Sequence, residues 1–455
     1  MTLSHVAEAT GGELIFPEND KESYEGKVID GAVIDNRLIK KDFLFIPIRG
    51  QKVDGHKFID SAFEAGALAV LSDHVLDGAK GPFIVVKDTE QALKDLATYY
   101  REQLTIPIIG IIGSVGKTST KEMVASVLTE KYKVLKTEGN FNNEIGLPLT
   151  ICRIGDEHEA AVVEMGISDF GEMHRLGEIA KPNIVVMTNI GQAHLENLKT
   201  RDGILKAKTE VFEHMKEAST VILNGDDDKL STVSDACDAK IIFYGTKDQQ
   251  VLATDITPVG IEGIDFVLHT KKGDGRVHIS IPGEHNVLNA LAAASVGLEL
   301  GLEFDEIVKG IESSETIAGR SNFIHANGMV IMDDCYNASP SSMEASLKVL
   351  SYASGRKIAV LGDMGELGAD AAKLHYSVGK AVIKNGIDIL FTAGQLSKEI
   401  ARAVREEINI EVYSYDNKDE MINELEKLVK PGDTILVKAS HFMNFTEVVS
   451  RLEVK

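Results

Sequence analysis

The 455-residue chain is 44% hydrophobic and 26% charged, lacks tryptophan, and carries a formal charge of −22. This is soluble globular composition, long enough for two to four domains with separate cores. The acidic balance argues against a nucleic-acid or acidic-membrane surface, which needs a basic stripe, but leaves open phosphorylated small molecules held by a few local groups. The opening MTLSHVAEATGGE has no basic segment followed by an apolar run, and no stretch approaches the roughly 18 apolar residues needed to span a bilayer. Cys152, Cys237 and Cys335 are few and widely spaced, as in a reducing compartment. A cytoplasmic protein without nucleic-acid partner or membrane insertion is expected.

In chain order, residues 1–105 read as a small α/β unit closing on the helical pattern QALKDLATYYREQL. A second unit, 106–316, opens on the strand IPIIGIIG. After Gly116, Met123, Val124, Val127 and Leu128 share one helical face. The runs AAVVEMG, NIVVMTN, TVILNG and IIFYG follow, then a strand- and turn-rich stretch at 250–283 and the helical EHNVLNALAAASVGLEL. The third unit, 317–455, contains MVIMDD, KIAVLGD, DILFTAG and TILVKAS. Near-continuous apolar runs suit strands buried on both faces, as in parallel sheets. Their alternation with amphipathic helices predicts an α/β protein with function at the carboxyl ends of the strands.

The stretch GIIGSVGKTSTK (110–121) departs from the common phosphate loop G-x-x-x-x-G-K-[ST], which requires a glycine at the position of Ile111. A strand, a glycine-rich turn, and Lys117 and Thr118 opening a helix nevertheless form a phosphate cradle. Backbone amides face the anion, the lysine neutralises charge, and the threonine hydroxyl reaches magnesium. Glu164 and His194 lie just past strands. The carboxylate suits magnesium, a hard cation, better than the imidazole does; taken alone, Glu164 reads as a cap or surface group. Lys206 and Lys208 read locally as a solvated basic face. Asn286 and Asn289, one turn apart, either bond a base edge or cap a helix. Asp333 and Asp334 end a strand, where carboxylates commonly hold ribose hydroxyls. Gly362, Gly365 and Gly368 have the wrong spacing for a dinucleotide loop.

Gly113-Ser-Val-Gly-Lys-Thr-Ser119 resembles the ATP loop of the Mur ligase family, the peptide-bond-forming enzymes of bacterial cell-wall synthesis, in which this shorter glycine spacing is the norm. Within the family the chain is most similar to the branch that adds D-alanyl-D-alanine to UDP-N-acetylmuramoyl-tripeptide. DNRLIKKDFLFIPIRGQKVDGHKFI, TEGNFNNEIGLPLTI, VVEMGISDFGEM, TNIGQAHLENL, AKTEVF, GEHNVLNALAA, DDCYNASPSSM and LGDMGELG carry that resemblance through all three units. It implies a small N-terminal domain, a central P-loop-type mostly parallel sheet with helices on both faces, and a Rossmann-like C-terminal domain. It also implies that Gly113, Ser114, Val115, Gly116, Lys117, Thr118 and Ser119 hold ATP phosphates. Thr118, Glu164 and His194 match metal positions for Mg2+, with two ions expected. Lys208 matches the lysine that family members carry as a carbamate, which replaces a cation by an anion; nothing in the local pattern points to that. Asn286 and Asn289 match adenine-side positions, while Arg320, Asp333 and Asp334 would close onto γ-phosphate and ribose. Asp35-Asn36-Arg37 stands where the family has Asp-[Ser/Thr]-Arg against the UDP group, and Asn140, Asn142 and Asn143 match the loop lining the muramoyl-peptide channel.

One departure stands out. The family reads V-K-G-S-R-G-M where this chain has Val437-Lys-Ala-Ser-His-Phe-Met443, so Ala439, His441 and Phe442 replace Gly, Arg and Gly. Cys335 reads as space-filling rather than catalytic. The implied reaction is amide formation through an acyl phosphate, on a monomer with small-molecule substrates and a third domain that closes over ATP. Two alternatives share the loop: another acid–amine ligase of the muramyl-peptide or folylpolyglutamate type, and a regulatory P-loop NTPase.

Overall fold

The computed structural model describes residues 1–454 except 18–20, 25, 51, 216–217, 235–236, 317 and 407–409. Its strands form three sheets. The first has five short strands, in spatial order Glu13–Ile15, Phe83–Val85, Ala69–Ser72, Phe43–Phe45, Gly31–Val33, all parallel except the first pair. Helix Thr89–Gln103 covers it, capped by Asp88, whose side chain accepts from the Glu90 and Gln91 amides, as an N-cap should.

The second sheet has nine strands. Seven consecutive strands are parallel, with Ile108–Ile112 in the interior between Ile184–Met187 and Ala160–Glu164. Gly110 lies within that strand, so the glycine-rich turn begins at Gly113. At Val251–Pro258 the sheet changes character: this strand pairs in parallel with Lys240–Gly245 but continues as an antiparallel meander with Ile264–Thr270 and Gly273–Ile279, the strand-rich stretch expected at 250–283. Met123, Val124, Val127 and Leu128 are all buried from helix Lys117–Thr129, at about 1.5–3 kcal/mol for each large side chain so enclosed. The helix packs with Glu284–Glu299 on one face of the sheet, and a separate core containing Leu147, Leu176 and Ile204 covers the other.

The third sheet has six strands, in order Asn322–Ala326, Met329–Asp333, Asp433–Lys438, Arg356–Gly362, Ile389–Ala393, Glu411–Tyr415, parallel apart from the first pair. Every apolar run named from the sequence forms a strand with a parallel neighbour. NFIHA and EVYSY had not stood out: both are edge strands, half-buried along most of their length, so neither needs an unbroken apolar run. No helix among the described residues is long and apolar enough to cross a membrane.

Candidate active site

The glycine turn leaves an interior strand whose neighbours on either side are reached by crossovers in opposite directions. This switch point opens a crevice at the carboxyl ends of the strands. Three adjacent strands deliver their residues there: Gly113 after Ile108–Ile112, Glu164 at the end of Ala160–Glu164, and Thr188 and Asn189 after Ile184–Met187. Gly113 has no room for a side chain, since an added Cβ would lie 1.9 Å from Thr188 Oγ1. Gly116 turns the chain into the helix at φ +83°, a left-handed conformation that favours glycine.

Thr188 Oγ1 and Asn189 Nδ2 both donate to the Val115 carbonyl, at 2.7 and 2.8 Å, and the Val115 amide donates to Asn189 Oδ1. Ser114 Oγ accepts from the Gly191 amide. The turn is therefore fastened from the neighbouring strand's loop, and the first amides of helix Lys117–Thr129 lie beyond reach of intrahelical carbonyls, as at any helix start. Thr188 and Asn189 had not been singled out. Their only sequence signal was the stretch TNIGQAHLENL that contains them.

Two lysines converge on one backbone oxygen. Lys117 Nζ donates to the Gly113 carbonyl at 3.0 Å, and Lys208 Nζ to the same oxygen at 3.1 Å. Lys208 is 2% exposed and, among the described residues, forms no ion pair. Burial, reinforced by Lys117, pushes its ammonium well below the ordinary lysine range. Lys117 is also lowered, by burial first; Glu164 opposes that shift and Arg320 adds to it. The solvated-face reading holds for Lys206, which is exposed, and fails for Lys208. Helix Arg201–Thr209 turns the two residues to different sides, so one is buried and the other is not.

Glu164 is buried too, contrary to its local reading as a cap or surface group. One carboxylate oxygen accepts from Thr118 Oγ1 and the other from Asn142 Nδ2, both at 2.8 Å. Asn143 accepts from the Gly146 amide at the start of helix Gly146–Cys152, and Asn140 is exposed. Asn286 and Asn289 bond each other at 3.0 Å; Asn289 also accepts from Thr120 Oγ1, and Asn286 donates to the Pro282 carbonyl. Ser119, His285, Asn286 and Arg320 line a small cleft between the second and third units.

From the third unit, the Arg320 guanidinium lies 4.0 Å from the centroid of the Tyr336 ring, a cation–π distance. Asp333 accepts from the Gly319 amide and from the Cys335 thiol. That thiol is buried, and desolvation, reinforced by Asp333, pushes its pKa upward, opposite to what a nucleophile needs. Asp334 forms a buried ion pair with Lys438 at 2.6 Å and accepts from Ser346 Oγ and the Ser321 amide. Both aspartates are thus engaged within their own unit. Ala439 is fully buried, and an added Cβ on Gly362 would come within 2.7 Å of its methyl. The His441 ring lies 5.8 Å from Tyr336, and Phe442 is 66% exposed.

His194 lies in the loop that follows strand Ile184–Met187, with Nδ1 2.5 Å from Glu366 Oε2 of the third unit. That contact holds the Glu366 carboxyl below its usual range. In the first unit, Asp35 caps the turn Asn36–Leu38 and Arg37 folds back onto it through two nitrogens, while Asn36 Nδ2 donates to Ser61 Oγ. The Asp35 carboxyl is lowered chiefly by that arginine.

Three family models match the chain: the Mur ligase family catalytic domain at 28–101, the Mur ligase middle domain at 111–297, and the Mur ligase glutamate ligase domain at 319–441. The UDP-N-acetylmuramoyl-tripeptide--D-alanyl-D-alanine ligase of Bacillus subtilis is 37% identical, covering 99% of this chain and 98% of its own length. The crystal structure of MurF from Acinetobacter baumannii superposes with a TM-score of 0.91 at 31% identity, over 100% of this chain and 99% of that one. MurF ligase from Thermotoga maritima in complex with ADP gives 0.82 at 28% identity, over 93% and 97%. With identity and fold matched along its whole length, this chain belongs to the Mur ligase family.

Proposed function

We propose that the protein is the ATP-dependent ligase that joins D-alanyl-D-alanine to UDP-N-acetylmuramoyl-tripeptide. The observation that carries the reading is the convergence of Lys117 and Lys208 on the Gly113 carbonyl, beside the Thr118–Glu164 hydrogen bond. Two convergent lysine side chains that form no ion pair among the described residues suit a polyanionic ligand. The full-length relatives carry the same activity in their names.

A carboxylate is a poor acyl donor, so the terminal carboxylate of the tripeptide attacks the γ-phosphorus of ATP, giving an acyl phosphate and ADP. The dipeptide amine then attacks the acyl carbon, loses a proton, and phosphate leaves from the tetrahedral intermediate. Two anions meet in the first step, and Lys117 with Arg320 offsets their repulsion. Positioning and charge stabilisation dominate such phosphoryl transfers. Gly113 to Ser119 orient the phosphates, Asn286 and Asn289 with the cleft beside Arg320 take the adenine side, and Asp333 and Asp334 stand towards the ribose.

The buried oxygen pair of Thr118 and Glu164 fits a magnesium position in donor type, and His194 would add a softer nitrogen ligand. Bound there, the ion would neutralise charge on the phosphates. Lys208 fits a carbamate because burial favours the uncharged amine, the form that reacts with CO2. The first unit, 1–105, holds the UDP group through Asp35, Asn36 and Arg37. Asn140, Asn142 and Asn143 of the second, 106–316, face the muramoyl peptide. The third, 317–455, closes over ATP and receives the dipeptide, which shields the acyl phosphate from water.

The test is phosphate release from ATP with UDP-N-acetylmuramoyl-tripeptide, with and without D-alanyl-D-alanine. Release that requires both substrates is expected. Release indifferent to both marks a regulatory NTPase, and release requiring a glutamate-type amine marks a sister ligase. For the carbamate, Lys208→Ala loses activity that short carboxylic acids partly restore; full activity without them overturns it.

A further inference from the structure

The loop after strand Arg356–Gly362 takes no part in the reading above, yet it reaches the second unit at a proposed metal ligand. Its Glu366 Oε2 lies 2.5 Å from His194 Nδ1. That nitrogen is sealed from solvent and makes no well-aligned hydrogen bond; the Glu366 carboxylate is the acidic group that lies at contact distance from it. Both residues adopt left-handed backbone, φ +55° at His194 and +61° at Glu366, which L side chains hold only where the surroundings enforce it. The two backbones also touch: the Glu196 amide donates to the Glu366 carbonyl at 3.4 Å. A Cβ on Gly368 would lie 3.5 Å from Glu196 Cα.

The loop is braced before it reaches across. The Met364 amide donates to His375 Nε2 at 2.8 Å, and His375 Nδ1 donates to the Ala371 carbonyl. The Gly365 amide donates to Ser440 Oγ at 2.9 Å. Glu366 is therefore presented from a fixed loop, although its own side chain is largely exposed.

We propose that Glu366 is a positioning residue for His194: it accepts the Nδ1 proton and leaves Nε2 as the lone pair that can ligate, and it does so only while the third unit is docked. This rests on the proposed metal role of His194. An imidazole ligand that donates its second N–H to a carboxylate has its tautomer and orientation set, and losing that partner typically weakens metal affinity about 10- to 100-fold. Here the carboxylate comes from a different sheet, so docking and completion of the metal position are one event.

The experiment uses the full-length protein and the variants E366A, E366D and H194A. In metal-free protein with 15N-labelled histidine, the His194 signal, assigned by its loss in H194A, is expected in the Nδ1–H tautomer. In E366A it should shift to the Nε2–H or averaged form. The magnesium concentration for half-maximal turnover should rise about tenfold or more in E366A, with partial recovery in E366D and a smaller change in kcat at saturating magnesium. Unchanged tautomer and unchanged magnesium requirement in E366A overturn the proposal. If H194A alters the requirement and E366A does not, the positioning role fails while the ligand role stands. If H194A leaves it unaltered, the ligand role fails and takes the proposal with it.

Discussion

Lys438 in the third unit and Lys208 in the second are both buried lysines, and they are accommodated in opposite ways. In the third unit Lys438 is 3% exposed and meets Asp334 at 2.6 Å, with Ser346 and the Ser321 amide occupying further positions on the same carboxylate. In the second unit Lys208 is 2% exposed and, among the described residues, bonds only the Gly113 carbonyl, which it shares with Lys117. A buried charge without a counter-charge is costly, and proteins tolerate the cost mainly where function requires it. The matched pair is a structural tie between adjacent strand ends; the unmatched pair is where the proposed function puts an anion.

That contrast can be broken by experiment. Lys117→Met and Lys208→Met should each cut turnover by about 10³-fold without lowering the melting temperature, measured by initial rates and thermal unfolding. Retained turnover in either variant would remove its lysine from the proposed chemistry. Lys438→Met should do the reverse to stability, because it strands Asp334: a loss of about 3–5 kcal/mol is expected from denaturant midpoints. The double variant Asp334→Asn with Lys438→Met should recover part of it.

A smaller effect concerns pH. The folded-state pKa of Lys208 lies well below its unfolded value. Between that lowered pKa and about 10.4 the unfolded chain therefore binds more protons than the folded one, and stability rises with pH. In CO2-free buffer the gain in unfolding free energy between pH 7 and 9 should be larger in the parent protein than in Lys208→Met, by at most about 1.4 kcal/mol per pH unit. Equal gains would mean that burial does not lower the Lys208 ammonium as inferred. Smallest of all should be Arg37→Ala. Among the described residues this exposed arginine pairs only with nearby Asp35, so the melting temperature should hold, while KM for the UDP-linked substrate rises at constant kcat.

Fold class and strand positions could be read from sequence because parallel strands covered on both faces must be apolar along their length; TVILN and ILFTA are buried at every residue. EVYSY escaped notice because an edge strand faces water on one side. The phosphate turn was legible because glycine is forced locally, at Gly113 by contact and at Gly116 by φ. Lys208 was not. Its neighbour Lys206 has the same residue type on the same helix, and only the packing of that helix tells the buried lysine from the exposed one.

Sequence alone determined the α/β alternation, the turn from strand into helix at Gly116, and the family to which the chain belongs, since each depends on residues close together or on motifs in a fixed order. Only the tertiary structure decided that two lysines 91 positions apart share one carbonyl, that Asn189 fastens the phosphate turn, and that Glu366 of one sheet faces His194 of another. The physical reason is the same in each case. Strand order brings carboxyl ends together irrespective of their separation along the chain, and the charge a buried group experiences is set by those neighbours rather than by its own sequence.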